Sequence, residues 1–424
     1  MIPTYAGEVS DLSDKRGPLK MINRREFVTS TVAAGLLSSL GRAPDPPGKH
    51  ILLRSSWQTV NIGDIAHTPG MLALLEQHRP RDRVTLWPGE LSVEVEKLLT
   101  TRFPKLAIAR TKAEQQDALK ACDFFLHGSG PGLVGRREAE AARAAGKPYG
   151  FAGVTLSDEE LKANRDLLAG AKFVFTRDTD SLRAFQKAGI QGPKADFGPD
   201  ATFALDLRDD PAADKLLKEL QLEPGEYLCA VPRLRWTPYW EIHPERVKPN
   251  PERSAVNEAF ADRDHAKLRT GIIAWVRETK KKVFLVPEMT YAVPRLKPLL
   301  YDPLPAEVKR HVAVLERYWL TAEAASVYAR AAAVASFEMH SPIIAVANGT
   351  PAVLLRQPTD TRKGQMWRDV GLTEWIFEID DTTGEQVAAK LMEIGKDLPT
   401  ARRAAAAARE RARARMKAMV AEIG

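Results

Sequence analysis

The 424 residues, 44% hydrophobic and 28% charged, suffice for two cores and are ordinary for a globular enzyme. A formal net charge of +7 favours anionic ligands or surfaces without naming one. The two cysteines, Cys122 and Cys229, sit far apart in apolar runs and read as small core residues, and the eight histidines lack ligand spacing such as HExxH, so no disulfide, metal or cofactor is expected.

In chain order, the first signal is Asn23-Arg24-Arg25-Glu26-Phe27 before an uncharged run over 28–40. Paired arginines ahead of a modest apolar stretch are the pattern of a twin-arginine export signal. The stretch is too short to span a bilayer, which takes ~20 apolar residues. Gly41-Arg42-Ala43 is a poor cleavage site, so the signal is expected either to be removed or to stay as an anchor. Export to the periplasm or cell envelope follows, with a cytoplasmic location as the alternative. After this signal and linker (1–48), strand patterns at 50–54, 84–86, 106–109, 123–127, 149–154 and 172–176 alternate with helical patterns at 71–77, 136–145, 158–169 and 178–188. Short apolar runs without alternation imply strands buried on both faces of a parallel sheet. The first domain is thus placed at 49–205 and a charged linker at 206–225.

The pattern restarts over 226–398, with strands at 227–231, 283–286, 312–315, 333–337, 352–355 and 375–378 and helices at 264–280, 322–331 and 342–348. The fold class is therefore α/β, two Rossmann-like doubly wound domains, and their tandem resembles the GT-B arrangement. A basic C-terminal helix (399–424) closes the chain. Its Ala/Arg-rich run over 402–417 comes with no nucleic-acid-binding motif, so a solvated helix is expected rather than a nucleic-acid arm.

Open α/β sheets bind ligands at the carboxyl ends of their strands. Asn61-Ile62-Gly63-Asp64 follows the first strand; Asp64 suits a helix cap or a proton acceptor. Gly128-Ser129-Gly130 ends a strand in a turn that suits a phosphate cradle or plain tight-turn geometry equally. Arg177-Asp178 ends another strand, and pairing or capping is the expected role. Arg233 and Arg235 close the first strand of the second domain, as an anion clamp or a surface pair. The loop after them carries Trp236, Tyr239 and Trp240, which suit stacking on sugars or anchoring of the loop. Ser341 is the expected N-cap and Pro342 the first helical residue, which sets His340 at a helix N-terminus.

These pieces in this order resemble the polysaccharide pyruvyl transferase family. The resemblance runs over roughly residues 50–380 and includes the N-x-G-D start, the glycine turn, Arg177-Asp178, Pro199-Asp200-Ala201, the strand-end arginine and the segment from His340 to Pro351. It implies transfer of a pyruvyl unit from phosphoenolpyruvate, or another anionic donor, to sugar hydroxyls of a glycan acceptor. By the resemblance Arg233, and with it Arg235, holds the donor, and His340 is general acid or electrostatic partner. Asp64 is assigned the acceptor's proton, and Asn61, Gly63, Gly128, Gly130, Arg177, Ser341 and Lys363 are binding residues. Glu338 stands where the family has arginine, and pairing with Arg233, Arg235 or Lys363 is expected of it. A GT-B-type transferase with a different activated donor, or a noncatalytic glycan-binding protein, is the alternative.

Overall fold

The computed structural model describes residues 48–424. The export signal at 23–40 lies outside the described residues. The first layer runs β1 (His50–Arg54), α1 (Ile62–His78), β2 (Arg83–Leu86), α2 (Val93–Arg102), β3 (Ala107–Ile108), α3 (Lys112–Ala121), β4 (Phe124–His127), α4 (Arg136–Ala144), β5 (Tyr149–Val154), α5 (Asp158–Ala163), α6 (Arg165–Ala169), β6 (Phe173–Thr176), α7 (Thr179–Lys187) and β7 (Lys194–Phe197). Its strands form one parallel sheet in the order β3-β2-β1-β4-β5-β6-β7.

The second layer runs α8 (Asp210–Glu219), β8 (Tyr227–Val231), α9 (Tyr239–Ile242), α10 (Pro251–Thr279), β9 (Lys282–Leu285), α11 (Ala306–Lys309), β10 (Val312–Val314), α12 (Thr321–Arg330), β11 (Ala333–Ser336), α13 (His340–Ala347), β12 (Ala352–Arg356), α14 (Gln365–Asp369) and β13 (Ile376–Glu378). Helices α15 (Gly384–Lys396) and α16 (Leu398–Ala421) follow. The second parallel sheet, β10-β9-β8-β11-β12-β13, repeats the order of the first. In both sheets the order reverses beside the first strand, between β1 and β4 and between β8 and β11. Loops after these strands diverge there and leave a crevice, the usual ligand position in such sheets.

Several elements differ from the sequence reading. The stretch 206–225 is not a simple linker: α8 buries Ala213, Leu216 and Leu217 against α12, and Arg330 pairs with Asp210 and Asp214. Helix α10 starts at Pro251, capped by the Asn250 side chain on the Arg253 amide, 13 residues before the expected 264. Charged residues over 251–263 hid it. Helix α1 starts at Ile62 and carries Pro69 and Gly70 inside it, nine residues before the helical pattern expected from 71. It is buried nearly all round, packed against α12, α13 and α16, so tertiary packing outweighs local propensity.

Helix α16 crosses back to the first layer. Ala405, Ala408, Ala412, Met416 and Met419 are fully buried, while Arg415 donates to the Phe197 carbonyl and pairs with Asp196. Arg411 donates to the Val370 carbonyl at 2.7 Å. Part of the basic run is thus spent on packing the layers together. Cys122 and Cys229 are buried free thiols. Among the described residues no helix is long and apolar enough to cross a membrane.

Candidate functional site

Between the carboxyl ends of the two sheets lies a cavity of about 260 Å³. Asn61, Asp64 and Arg177 reach it from the first layer, and Arg233, Glu338, His340 and Lys363 from the second. Seven predicted residues thus converge on one space. Trp57, Trp236, Tyr239 and Arg253 line it as well, whereas Trp240 stays outside.

The first-layer wall is set by the start of α1. Asn61, in extended conformation (φ −136°), caps the helix by accepting from the Gly63 amide at 2.6 Å and the Asp64 amide at 3.3 Å. Capping was one of two roles weighed for Asp64; Asn61, three residues earlier, takes it. Asp64 is thereby left in the first turn, where Gln58 donates to it and burial raises its carboxyl above the usual range. Gly63 has no room for a side chain, because a Cβ there would stand 2.1 Å from Cβ and Cγ of His340.

The second-layer wall centres on Glu288, just past β9. Its fully buried carboxylate accepts from the Ser341 amide (2.6 Å), the Ser341 hydroxyl (2.7 Å), Nδ1 of His340 (3.2 Å) and the Asn61 amide group (3.4 Å). Ser341 is therefore not the N-cap. Helix α13 starts at His340, two residues before the expected Pro342, and its first turn finds its acceptor in Glu288. Burial alone lowers His340, but the hydrogen bond and charge of Glu288, with Asp200 and Asp64 behind, raise it above its ordinary value. Those same bonds hold Glu288 below the usual carboxylate range against the cost of burial. The layers also join through backbone here: Ile62 donates to the Glu288 carbonyl (3.1 Å), Thr290 to the Val60 carbonyl (3.0 Å), and Asn61 bridges Met289.

Below His340, His67 of α1 lies three residues from Asp64. Its Nδ1 sits 2.5 Å from the Ser129 hydroxyl and 3.0 Å from Asp200. Burial pushes His67 below its ordinary value. Arg177 donates to Asp200 at 2.7 Å and to the Thr155 hydroxyl at 2.8 Å, both buried. Asp178 caps α7 by accepting from the Ser181 amide.

Arg233 is tied on three sides, by Asp360 (2.7 Å), Gln357 (3.1 Å) and Glu338 (3.3 Å). Of the three partners expected for Glu338, it takes Arg233. Burial first, then the charge of Glu288, pushes the Glu338 carboxyl up to about 8, and Oε1 finds no hydrogen-bond partner among the described residues. Arg235 departs from the clamp reading. Asp264 holds its guanidinium at 2.8 and 2.9 Å, it stacks 3.7 Å over Phe260, and it does not line the cavity. Arg235→Ala is expected to strand the buried Asp264 and cost about 3 kcal/mol, read as a lower urea midpoint at unchanged slope. An unshifted midpoint would remove this structural role.

The phosphate-cradle alternative for the glycine turn also fails. The Gly128 amide donates to the Arg54 carbonyl and the Gly130 amide to the Gly153 carbonyl, so neither is available to a ligand. Sequence reasoning missed Glu288, His67, Trp57 and Arg253. Asp64 and His67, three apart, share a face of α1, but with the helix expected only from 71 that face was not visible. Arg253, on the unread first turn of α10, stacks 4.3 Å over Trp236, and among the described residues no carboxylate pairs with it.

Comparison with known proteins adds three findings. The family described as polysaccharide pyruvyl transferase matches residues 61–357. No curated protein matches the chain. Among solved structures, the chain is similar to a UDP-GlcNAc 2-epimerase from Neisseria meningitidis bound to UDP-GlcNAc (TM-score 0.56, 12% identity, 88% of this chain and 99% of that one). Anabaena HepE in complex with UDP and glucose (TM-score 0.54, 14% identity, 88% and 98%) and a Methanocaldococcus jannaschii UDP-GlcNAc 2-epimerase (TM-score 0.52, 13% identity, 81% and 91%) are similar too. At such identities these structures speak for the shared two-layer GT-B-like fold alone.

Proposed function

The chain belongs to the polysaccharide pyruvyl transferase family, and from that premise we propose that it transfers a pyruvyl unit from phosphoenolpyruvate to two hydroxyls of a glycan sugar as a ketal. The observation that carries this reading is the convergence of Arg253, Lys363, Arg233, His340 and Asp64 on one cavity. In the reaction one proton is added at the donor's methylene carbon, two hydroxyl protons leave, and phosphate departs. His340 is the proton donor: the hydrogen bond and charge of Glu288 raise it and favour the charged ring, and Glu288 on Nδ1 leaves Nε2 to carry the transferred proton. Asp64, made more basic by burial, accepts a hydroxyl proton. Arg253 and Lys363 supply the positive charge for the donor, because Arg233 is already shared with Asp360 and Glu338. Trp236 and Tyr239 offer faces for the acceptor ring.

The Arg24-Arg25 leader supports export, with a cell-envelope glycan as acceptor. One observation favours a second reading. With Arg233 paired to Asp360 and Glu338 standing where the family has arginine, the cavity has less positive charge to offer a multiply charged donor, which suits glycan binding or a different donor.

Calorimetric titration with phosphoenolpyruvate separates the two. The transfer reading expects micromolar binding that weakens roughly tenfold in Arg253→Ala, the loss of one exposed-to-buried charge contact. The sign of the pH dependence is fixed by Glu338. Its carboxyl is neutral below about 8 and repels an anion above it, so affinity rises as pH falls through about 8. Glu338→Gln flattens that slope. Absence of binding at every pH overturns the donor assignment and leaves the second reading.

A further inference from the structure

The cavity floor holds a group of side chains that the transfer reading uses only in part. Asp64, His67 and His340 are all buried, and one ligand atom from each lies within 4.8 Å of the other two. Two residues come from one face of α1 and the third from the start of α13, so the group straddles the two layers.

The two imidazoles are arranged alike. Nδ1 of His67 meets Asp200 at 3.0 Å, and Nδ1 of His340 meets Glu288 at 3.2 Å; both carboxylates are fully buried. A carboxylate on Nδ1 fixes the proton there and turns the other nitrogen into a bare lone pair, the arrangement in which histidines bind metal. Neither Nε2 has a hydrogen-bond partner among the described residues, although both are buried. Buried polar atoms are nearly always partnered, so these two nitrogens call for a ligand. A carboxylate beside them completes a set of two nitrogens and one oxygen.

We infer that Asp64, His67 and His340 form a binding site for a divalent first-row transition cation such as zinc or cobalt. Two imidazoles favour such ions over calcium or magnesium, which take oxygen ligands. Bonds of ~2.0–2.2 Å place the donor atoms of a tetrahedral cation roughly 3.4 Å apart, so binding draws the three side chains inward. Asp64 and His340 also face the cavity, which leaves the cation an open position for a ligand oxygen. Metal and proton exclude each other on Nε2 of His340. A metal-loaded chain is therefore a chain without its proton donor, and the cation acts as an inhibitor of the proposed transfer.

The test needs no donor, so it stands apart from the transfer reading. The full chain, stripped with chelator, is titrated with cobalt(II) and followed by its visible absorption. Residues 1–47 bring no histidine or cysteine to confuse the signal. One saturable equivalent with the intense bands of low-coordinate cobalt is expected. The signal is lost in His67→Ala and in the near-isosteric Asp64→Asn, and kept in His311→Ala. Zinc should raise the unfolding temperature of the parent chain and not that of Asp64→Asn, which serves if His67→Ala fails to fold. No saturable signal in the parent, or an undiminished one in Asp64→Asn, overturns the site.

Discussion

Gly63→Ala is expected to destabilise the chain by about 3 kcal/mol and to remove turnover together with it. The new methyl would lie 2.1 Å from Cβ and Cγ of His340, far inside any real carbon contact, so something must move. Neither partner moves freely. Gly63 sits in the first turn of α1, where its amide is held by Asn61, and His340 opens α13 with its ring held by Glu288. Relief comes from parting the two helices, which also stretches the Ile62–Glu288 and Thr290–Val60 backbone bonds. Urea unfolding and a pyruvyl-transfer assay on one preparation check this. A variant with parental midpoint and turnover would mean that α1 and α13 do not approach this closely.

His340→Gln is expected to lower kcat by 10²- to 10⁴-fold, the usual worth of a positioned proton donor. Glutamine keeps a polar group near Glu288 but cannot deliver a proton at neutral pH, so affinity for phosphoenolpyruvate should change by no more than a few-fold. The separation of kcat from binding carries the argument. A residue that merely shaped the cavity would lower both together. Turnover within tenfold of the parent would remove His340 from the proton-donor role.

The sequence displayed the two layers clearly because parallel strands are short apolar runs and the two sheets supply seven and six of them. His50–Arg54, Tyr149–Val154 and Tyr227–Val231 were read to the residue. Weak elements escaped: β7 is exposed at Lys194 and only half-buried at Ala195 and Asp196, and α3 buries no residue, so neither carries a strong apolar pattern. The cavity residues were legible where they follow strands, as Asn61, Asp64, Arg233 and His340 do. Their roles were less so. Arg233 and Arg235 are two apart in an identical local context, yet one reaches the cavity and the other is held by Asp264 on α10, a helix whose first half was not read. Glu288 carries no motif at all; its importance arises only when β9 is brought beside α1.

Helix α1 belongs to the first layer by connection and to both by burial, with α12, α13 and α16 covering the faces that its own sheet leaves bare. The two halves repeat one strand order, as a duplicated unit would, but they are no longer separable units. A fragment ending near residue 205 would leave bare the faces of α1 that α12, α13 and α16 cover. The repeat has thus traded modularity for a shared wall, and mutational drift in either half is constrained by the other.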